Sequence, residues 1–514
     1  MDVESQIREL VAPFDVECSP GGVIAVARQG IVETVVPFGY ANLEHAVPNA
    51  RETTFYIAST SKQFVAAAIA ILEADGLLNA EDSLALWVPE LEHLGDIRVQ
   101  HLVHHTSGIR DKYGLAALGD LPEVSVGTDA GTMALLKRQR SLNFEPGSRF
   151  MYSNSGYFLL AMIVERCSGR SFIDFTNERL FVPMGMSGTR FRCDTSEVIA
   201  GRATGYAPRP GGGWSTAEYT WSSLGPGGVV STVDSLARWG MVYQGSPLRP
   251  EDLSTRLLHT VPLADGTQGA YAYGVLVGEY GGQPMVLHAG GVHGFAAEMI
   301  QLPSQGLTVI CLANSPAVGA PMLAQKVLEL CVPAPPSSIT TSVRPAPAVA
   351  QLLGRYVHDD ETGVATVTLD GESVRLSILG AEVALSLTDG GWAAANGWVV
   401  EADAKGLRLR VGAQEVSYRR VAKAAPPENA CIVGTFHSAE LNTTLTITEY
   451  EGHAMIAWPD AAALKLSAFA GDLMTVHIPK YGATVAVRLV HDGGAVSALR
   501  ISVDRALGSI FERV

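Results

Sequence analysis

The chain reads as a multidomain protein: one large domain of mixed helix and strand, α/β or α+β, followed by two similar antiparallel β-domains. Three features of its 514 residues predict this. Two proline-rich stretches, PAPPSSITTSVRPAP at 333–347 and AKAAPPE at 422–428, lack N–H groups that helix and sheet interiors need and read as stiff linkers. They divide the chain into residues 1–332, 348–421 and 429–514. The first segment mixes helical and strand periodicities, while the other two carry matching marks at their starts and ends.

In chain order, Gly22 to Ala27 and Ile31 to Val35 are apolar runs around Gln29-Gly30, which predicts a hairpin. Phe64, Ala67, Ala68 and Ile71 recur at helical spacing, and Asp75-Gly76 supplies the stop. Met285 to His288, Ala296 to Leu302 and Leu307 to Ala313 read as strands, the last two joined by the turn Pro303-Ser304-Gln305-Gly306; residues 321–330 read as a helix. Strands at both ends with helices between predict a sheet that contains both ends of the domain. The two small segments open with Leu353-Gly354-Arg355-Tyr356 and Val433-Gly434-Thr435-Phe436. They close with Ser417-Tyr418-Arg419-Arg420-Val421 and Ile510-Phe511-Glu512-Arg513-Val514. Between the marks lie short alternating runs such as Val364 to Leu369 and Leu445 to Thr448, divided by Asp370-Gly371, Asp389-Gly390 and Asp492-Gly493. That pattern predicts a small antiparallel barrel or sandwich, twice over.

Composition narrows the function. Asp and Glu number 52 against 37 Lys and Arg, a formal charge of −15 that repels phosphate, so no nucleic acid and no anionic membrane surface is expected as a partner. With 47% hydrophobic and 17% charged residues, the chain is expected to fold around a large core. The start, MDVESQIREL, is polar and acidic, unlike a signal peptide. The longest apolar runs, Phe64 to Leu72 and Tyr157 to Val164, fall well short of the roughly 20 residues of a membrane span. Six scattered cysteines form no CxxC pair and read as mostly buried thiols, and a cytoplasmic location is the expectation.

Ser59-Thr60-Ser61-Lys62 stands at the start of the apolar helix. Residues three apart share a helical face, so Ser59 Oγ and Lys62 Nζ can meet, and a serine hydroxyl becomes a nucleophile when a neighbouring base takes its proton. The helix N-terminus adds backbone N–H groups that can stabilise an oxyanion. Tyr152-Ser153-Asn154 offers a hydroxyl that can relay a proton and an amide that can both donate and accept, although such a triplet alone is usually a loop. His288-Ala289-Gly290-Gly291 ends an apolar strand, where the glycines would let a substrate backbone lie against it; a lone histidine there is more often structural. His101, His104 and His105 have helical spacing but no carboxylate or cysteine beside them, so no metal is expected.

SxxK, then YxN, then HxG, in that order and spacing, resembles the penicillin-recognising serine hydrolases: class C β-lactamases, DD-peptidases and related esterases. His105-Thr106-Ser107-Gly108, the segment EPGSRFMYSNSGY from Glu145 to Tyr157, and Gly225-Pro226-Gly227-Gly228 through Ser231 to Arg238-Trp239 resemble the family's flanking motifs. No GxSxG elbow is present, which argues against an α/β-hydrolase. Within the superfamily the chain is most similar to the bacterial D-aminopeptidases. These have His in the third motif and two barrel domains, and Gly434 to Leu441 resembles the start of their last domain.

The resemblance implies a multidomain fold, a β-lactamase-like α/β (α+β) catalytic domain followed by two antiparallel β-barrel domains. It implies a D-stereospecific aminopeptidase or amidase working through an acyl-enzyme on a small peptide, amide or ester, without metal or organic cofactor. An esterase or β-lactamase-like hydrolase is the alternative, and a penicillin-binding sensor that acylates without turnover a third reading; a homodimer is left open. The implied roles are Ser59 as nucleophile, Lys62 and Tyr152 as general base and acid, His288 completing the network near Tyr152, Asn154 with Gly290 and Gly291 binding substrate, and the backbone amides of Ser59 and Gly291 as oxyanion hole. In the D-aminopeptidases a loop of the last barrel enters the cleft. The matching segment, Ile478-Pro479-Lys480-Tyr481-Gly482, carries no acid, so Lys480 and Tyr481 are expected to line the pocket, with Lys480 repelling a substrate ammonium.

Overall fold

The computed structural model describes the chain except residues 122–125, 218–219, 221, 246–247, 249, 334–348, 359–362, 372, 379–380, 389–390, 395–397, 403–405, 412–413, 424–428, 460 and 482. Most of both proline-rich stretches, and the Asp389-Gly390 turn, lie outside the described residues.

The first domain is built on a six-stranded antiparallel sheet in the order Leu276–Tyr280, Gln283–Val292, Phe295–Leu302, Leu307–Ala313, Gly22–Arg28, Ile31–Phe38. Strands from both ends of the domain therefore pair, Gly22 lying opposite Ala313. Side chains alternate across a strand. Val23, Ala25 and Ala27 accordingly face the larger core under helix Lys62–Ala74, while Ile24 and Val26 face a second core beneath helices Val3–Val11 and Ala320–Cys331. Covered on both sides, Leu307–Ala313 is buried along its whole length, which explains an apolar run interrupted by Thr308 alone.

Three sequence expectations need correction. Of the six cysteines only Cys311 is buried, the others being half-buried or exposed. Ser59 is not in the helix: it sits in a 3-10 turn, Ala58–Ser61, and the α-helix begins at Lys62. The strand expected to end at His288 runs on to Val292, because Gly290 and Gly291 stay paired with Ala297 and Ala296.

The second segment closes into an eight-stranded antiparallel barrel, from Gly354–His358 round to Gln414–Val421. The third is a nine-stranded antiparallel sheet that nearly closes, its two edge strands, Leu464–Lys465 and Ser467–Ala470, being consecutive in the chain. The repeated marks have one physical basis. Arg420 lies over the Tyr356 ring at 5.1 Å and donates to Leu353 O; Arg513 lies over the Phe436 ring at 4.8 Å and donates to Val433 O. Each arginine crosses a glycine, Gly354 or Gly434, where a Cβ would sit 3.3 or 2.3 Å from its guanidinium. The closing strand is thus pinned to the opening one by a cation on an aromatic face.

The last barrel docks on the first domain. Buried Arg110 donates to Glu440 Oε1 at 2.7 Å and to Leu507 O at 2.9 Å, Trp458 Nε1 donates to Leu118 O at 2.6 Å, and Asn143 bonds both Arg505 O and Leu507 N–H. The segment expected to enter the cleft does not line it among the described residues. Lys480 is exposed and paired with Asp120 Oδ1 at 2.7 Å, at the end of helix Lys112–Gly119, and the side chain of Tyr481 lies outside the description. Pairing with Asp120 holds the lysine at the surface, and the barrel reaches the cleft elsewhere, through Arg505.

Candidate active site

Strand Phe55–Tyr56 and the 3-10 turn after it set Ser59 at the head of the buried helix Lys62–Ala74. Ala58, just before it, has a φ of 49°, a left-handed backbone that costs a non-glycine residue roughly 1–2 kcal/mol, so the turn is held by its surroundings. Among these is the strand Gln283–Val292. A Cβ on Gly290 would stand 2.2 Å from Ile57 O, so only glycine lets the strand press so closely on the serine turn, whereas a Cβ on Gly291 meets nothing within 4 Å.

Lys62 is fully buried and its Nζ has three neighbours: Ser59 Oγ at 3.1 Å, Asn154 Oδ1 at 2.9 Å and Pro226 O at 2.7 Å. The amide of Asn154 is fixed because its Nδ2 donates to Asp111 Oδ2 at 3.0 Å. Asn154 Oδ1 and Pro226 O can only accept. A neutral amine would therefore spend both N–H groups on them and turn its lone pair to the Ser59 hydroxyl. Burial first, and the Arg505 charge second, push the Lys62 pKa well below that of an ordinary lysine, which favours that neutral form.

Tyr152 lies against the turn His105 to Gly108, whose backbone accepts from Gly147 and Met151 N–H and whose His105 ring, 4.3 Å from the Tyr152 ring, accepts Ser153 N–H at Nδ1. The Tyr152 hydroxyl is buried without a hydrogen bond of good geometry. Burial raises its pKa, with Ser59 and Arg505 acting against the rise. Lys62 Nζ stands 4.7 Å from the centre of its ring.

His288 is placed differently from the expectation. Its Nδ1 faces Ala289 O at 2.6 Å, an acceptor only, so Nδ1 carries the proton; Nε2 then accepts from the Tyr271 hydroxyl at 2.8 Å. It bonds Tyr271 rather than Tyr152, whose ring centre is 6.2 Å away. Burial, then Lys62, push its pKa down to about 3, so it is neutral at pH 7. His101 and His104 are also engaged, at Arg98 N–H and Tyr271 O, and no group of acids, histidines and cysteines among the described residues is arranged to hold a metal ion.

Two cavities meet at Ser59, Tyr152 and Gly291. One, of about 320 Å³, is the more polar of the two, its lining including Tyr113, Asn154, Thr220, His293 and Arg505 beside Pro226 and Val292. The other, of about 330 Å³, is lined by Phe150, Ala270, Tyr271, Leu276, His288 and Ala289. Sequence reasoning missed Asp111, Tyr271 and Arg505. Asp111 accepts Asn154 N–H at 2.6 Å and lies 3.7 Å from Arg505 Nη2, while its own N–H donates to Arg505 O at 3.0 Å. Arg505 sits on a turn after strand Ala495–Val503, its guanidinium 5.4 Å from the Tyr152 ring centre and bonded to Asp504. Asp111 stands three residues after the HTSG turn and could have been suspected. Nothing local marks Arg505, because the contact joins residues far apart in the chain.

Comparison with known proteins places the chain in a family. The Beta-lactamase family model matches residues 7–331. A D-aminopeptidase of Brucella anthropi is 27% identical over 443 residues, covering 84% of this chain and 82% of its own. A penicillin-binding protein of Bacillus subtilis is 30% identical over 383 residues, covering 70% and 84%. The solved octameric penicillin-binding protein homologue of Pyrococcus abyssi superimposes with a TM-score of 0.59 at 23% identity, covering 89% and 98%, a likeness of fold. No helix among the described residues is long and apolar enough to cross a membrane. The chain belongs to the beta-lactamase family and is a serine hydrolase of it.

Proposed function

We propose that the protein hydrolyses amides or esters through an acyl-enzyme on Ser59, with D-amino-acid amides and short peptides as the first substrate class to test. The observation that carries the reading is the Lys62 amine, 3.1 Å from Ser59 Oγ with its other neighbours both acceptors. Lys62 takes the Ser59 proton as Oγ bonds the acyl carbon, and Tyr152 relays a proton to the departing nitrogen or oxygen. Ser59 and Gly291 backbone amides hold the oxyanion, each donor contributing about 3 kcal/mol. Asn154 orients the acyl side, and water releases the acid in a second step. D-stereospecificity rests on the relatives named D-aminopeptidase. An esterase or amidase reading without a free ammonium is favoured by Arg505, a cation on the polar cavity.

The test is a panel of D- and L-alanine p-nitroanilide, a short-chain nitrophenyl ester and a chromogenic cephalosporin. The cephalosporin should be slowest, because neutral His288 offers its carboxylate no charge. Ser59→Ala should lower kcat by roughly 10⁴-fold or more with the fold intact, and mass spectrometry should find the acyl adduct on Ser59. An adduct on another serine would sink the assignment.

A further inference from the structure

We infer that the cavity walled by Phe150, Ala270, Tyr271, Leu276 and Ala289 takes the leaving group, and that the substrate is an ester or amide whose leaving group is uncharged and apolar. The inference rests on the reading of Ser59 as nucleophile and goes beyond it, to which half of the substrate lies on which side.

A tetrahedral carbon on Ser59 Oγ, with its oxyanion at the Gly291 strand, has two remaining arms. Two cavities open from Ser59, Tyr152 and Gly291, one for each arm. The polar cavity contains Asn154, whose amide is suited to an acyl-side carbonyl or N–H, and Arg505. The other arm then enters the second cavity, past Tyr152, from which its departing atom would receive its proton.

That second cavity carries no formal charge among its described lining residues. Its tyrosines, Tyr152 and Tyr271, are uncharged at pH 7 and so is His288, whose two ring nitrogens are already engaged, by Ala289 O and the Tyr271 hydroxyl. The Tyr271 hydroxyl is spent on His288, and Tyr271 and Phe150 present ring surface 6.0 Å apart between centres. An aromatic or alkyl leaving group loses water-exposed surface there and gains ring contacts. A carboxylate, such as the one a dipeptide's departing amino acid carries, would be stripped of water with no partner.

The experiment compares two esters of one acyl group, one releasing benzyl alcohol and the other glycolate, with each kcat/KM divided by the rate of uncatalysed hydrolysis. It is run in a D-alanyl and an acetyl series. The benzyl ester should be preferred roughly a hundredfold in both series, since an apolar pocket that cannot pair a buried polar group discriminates at least that strongly. Leu276→Arg, which sets a cation in the cavity wall, should narrow the preference at least roughly tenfold. The wild-type ratio stands by itself should that variant fail to fold. A fluorophosphonate probe with mass analysis is run alongside. Labelling of Ser59 with turnover but equal ratios for the two leaving groups overturns this inference alone. Discrimination that follows the acyl group instead overturns it by placing the acyl arm in the cavity. No labelling of Ser59 and no turnover overturns the hydrolase reading beneath it.

Discussion

His288 and Arg505 act on the same small group of atoms from opposite sides, and each has a distinct signature in pH. Burial, with Lys62 second, holds the His288 pKa at about 3, against roughly 6.5 in an unfolded chain. The unfolded form therefore takes up a proton near pH 6.5 that the folded form refuses. The stabilising contribution is complete above that pH and is lost as pH falls toward 3. From pH 6.5 to 5 the loss is about 2 kcal/mol, and the difference between the unfolding free energies of wild type and His288→Gln should change by that amount across this interval. Arg505 lowers the pKa of both Lys62 and Tyr152. Arg505→Met should leave Lys62 protonated to a higher pH and shift the acid limb of the kcat/KM profile up by about one unit. An unmoved profile would limit Arg505 to packing.

At the level of elements, the serine turn and the Gln283–Val292 strand are one device. Gly290→Ala places a methyl group 2.2 Å from Ile57 O, so the turn must shift, and a shift of that size costs roughly a hundredfold in kcat. Gly291→Ala meets no protein atom within 4 Å and should read out in KM, with kcat nearer wild type. Kinetics beside circular dichroism spectra of both variants separates the two. The helix after Ser59, the hairpin at Gln29-Gly30 and the three late strands were legible in the sequence because periodicity and turn residues are local. The end of the His288 strand was not: two glycines look like a break, and only the partner strand Phe295–Leu302 keeps them in the ladder. Ser59 in a 3-10 turn escaped notice for a similar reason, since the spacing that brings it to Lys62 serves a turn as well as a helix. Lys480 was misplaced because its charge was read against a substrate, whereas Asp120, brought near only by docking, holds it at the surface.

At the scale of the molecule, the last barrel is joined to the hydrolase domain through a buried ion pair. Burial works against both charges, raising the pKa of Glu440 and lowering that of Arg110. Glu440→Ala would strand Arg110 without its carboxylate, a change that costs about 3–5 kcal/mol. Thermal unfolding should show that loss, and ester turnover should fall with it as the Arg505 turn loosens. The middle barrel meets the last one through Arg355, which lies 5.2 Å from the centre of the Phe469 ring and donates to Ala468 O at 3.1 Å.

The Asp504-Arg505 turn also carries a consequence in time. Ser59, Lys62 and Asn154 can meet as soon as the hydrolase domain condenses, but the guanidinium beside Tyr152 arrives only when nearly the whole length of the polypeptide has been threaded back upon itself. Contacts between such distant residues form late, because the chain must lose loop entropy before they can reward it. Refolding from denaturant should therefore run on two clocks, helical ellipticity returning first and esterolysis lagging behind it, with Arg505→Met collapsing the lag by leaving nothing to wait for.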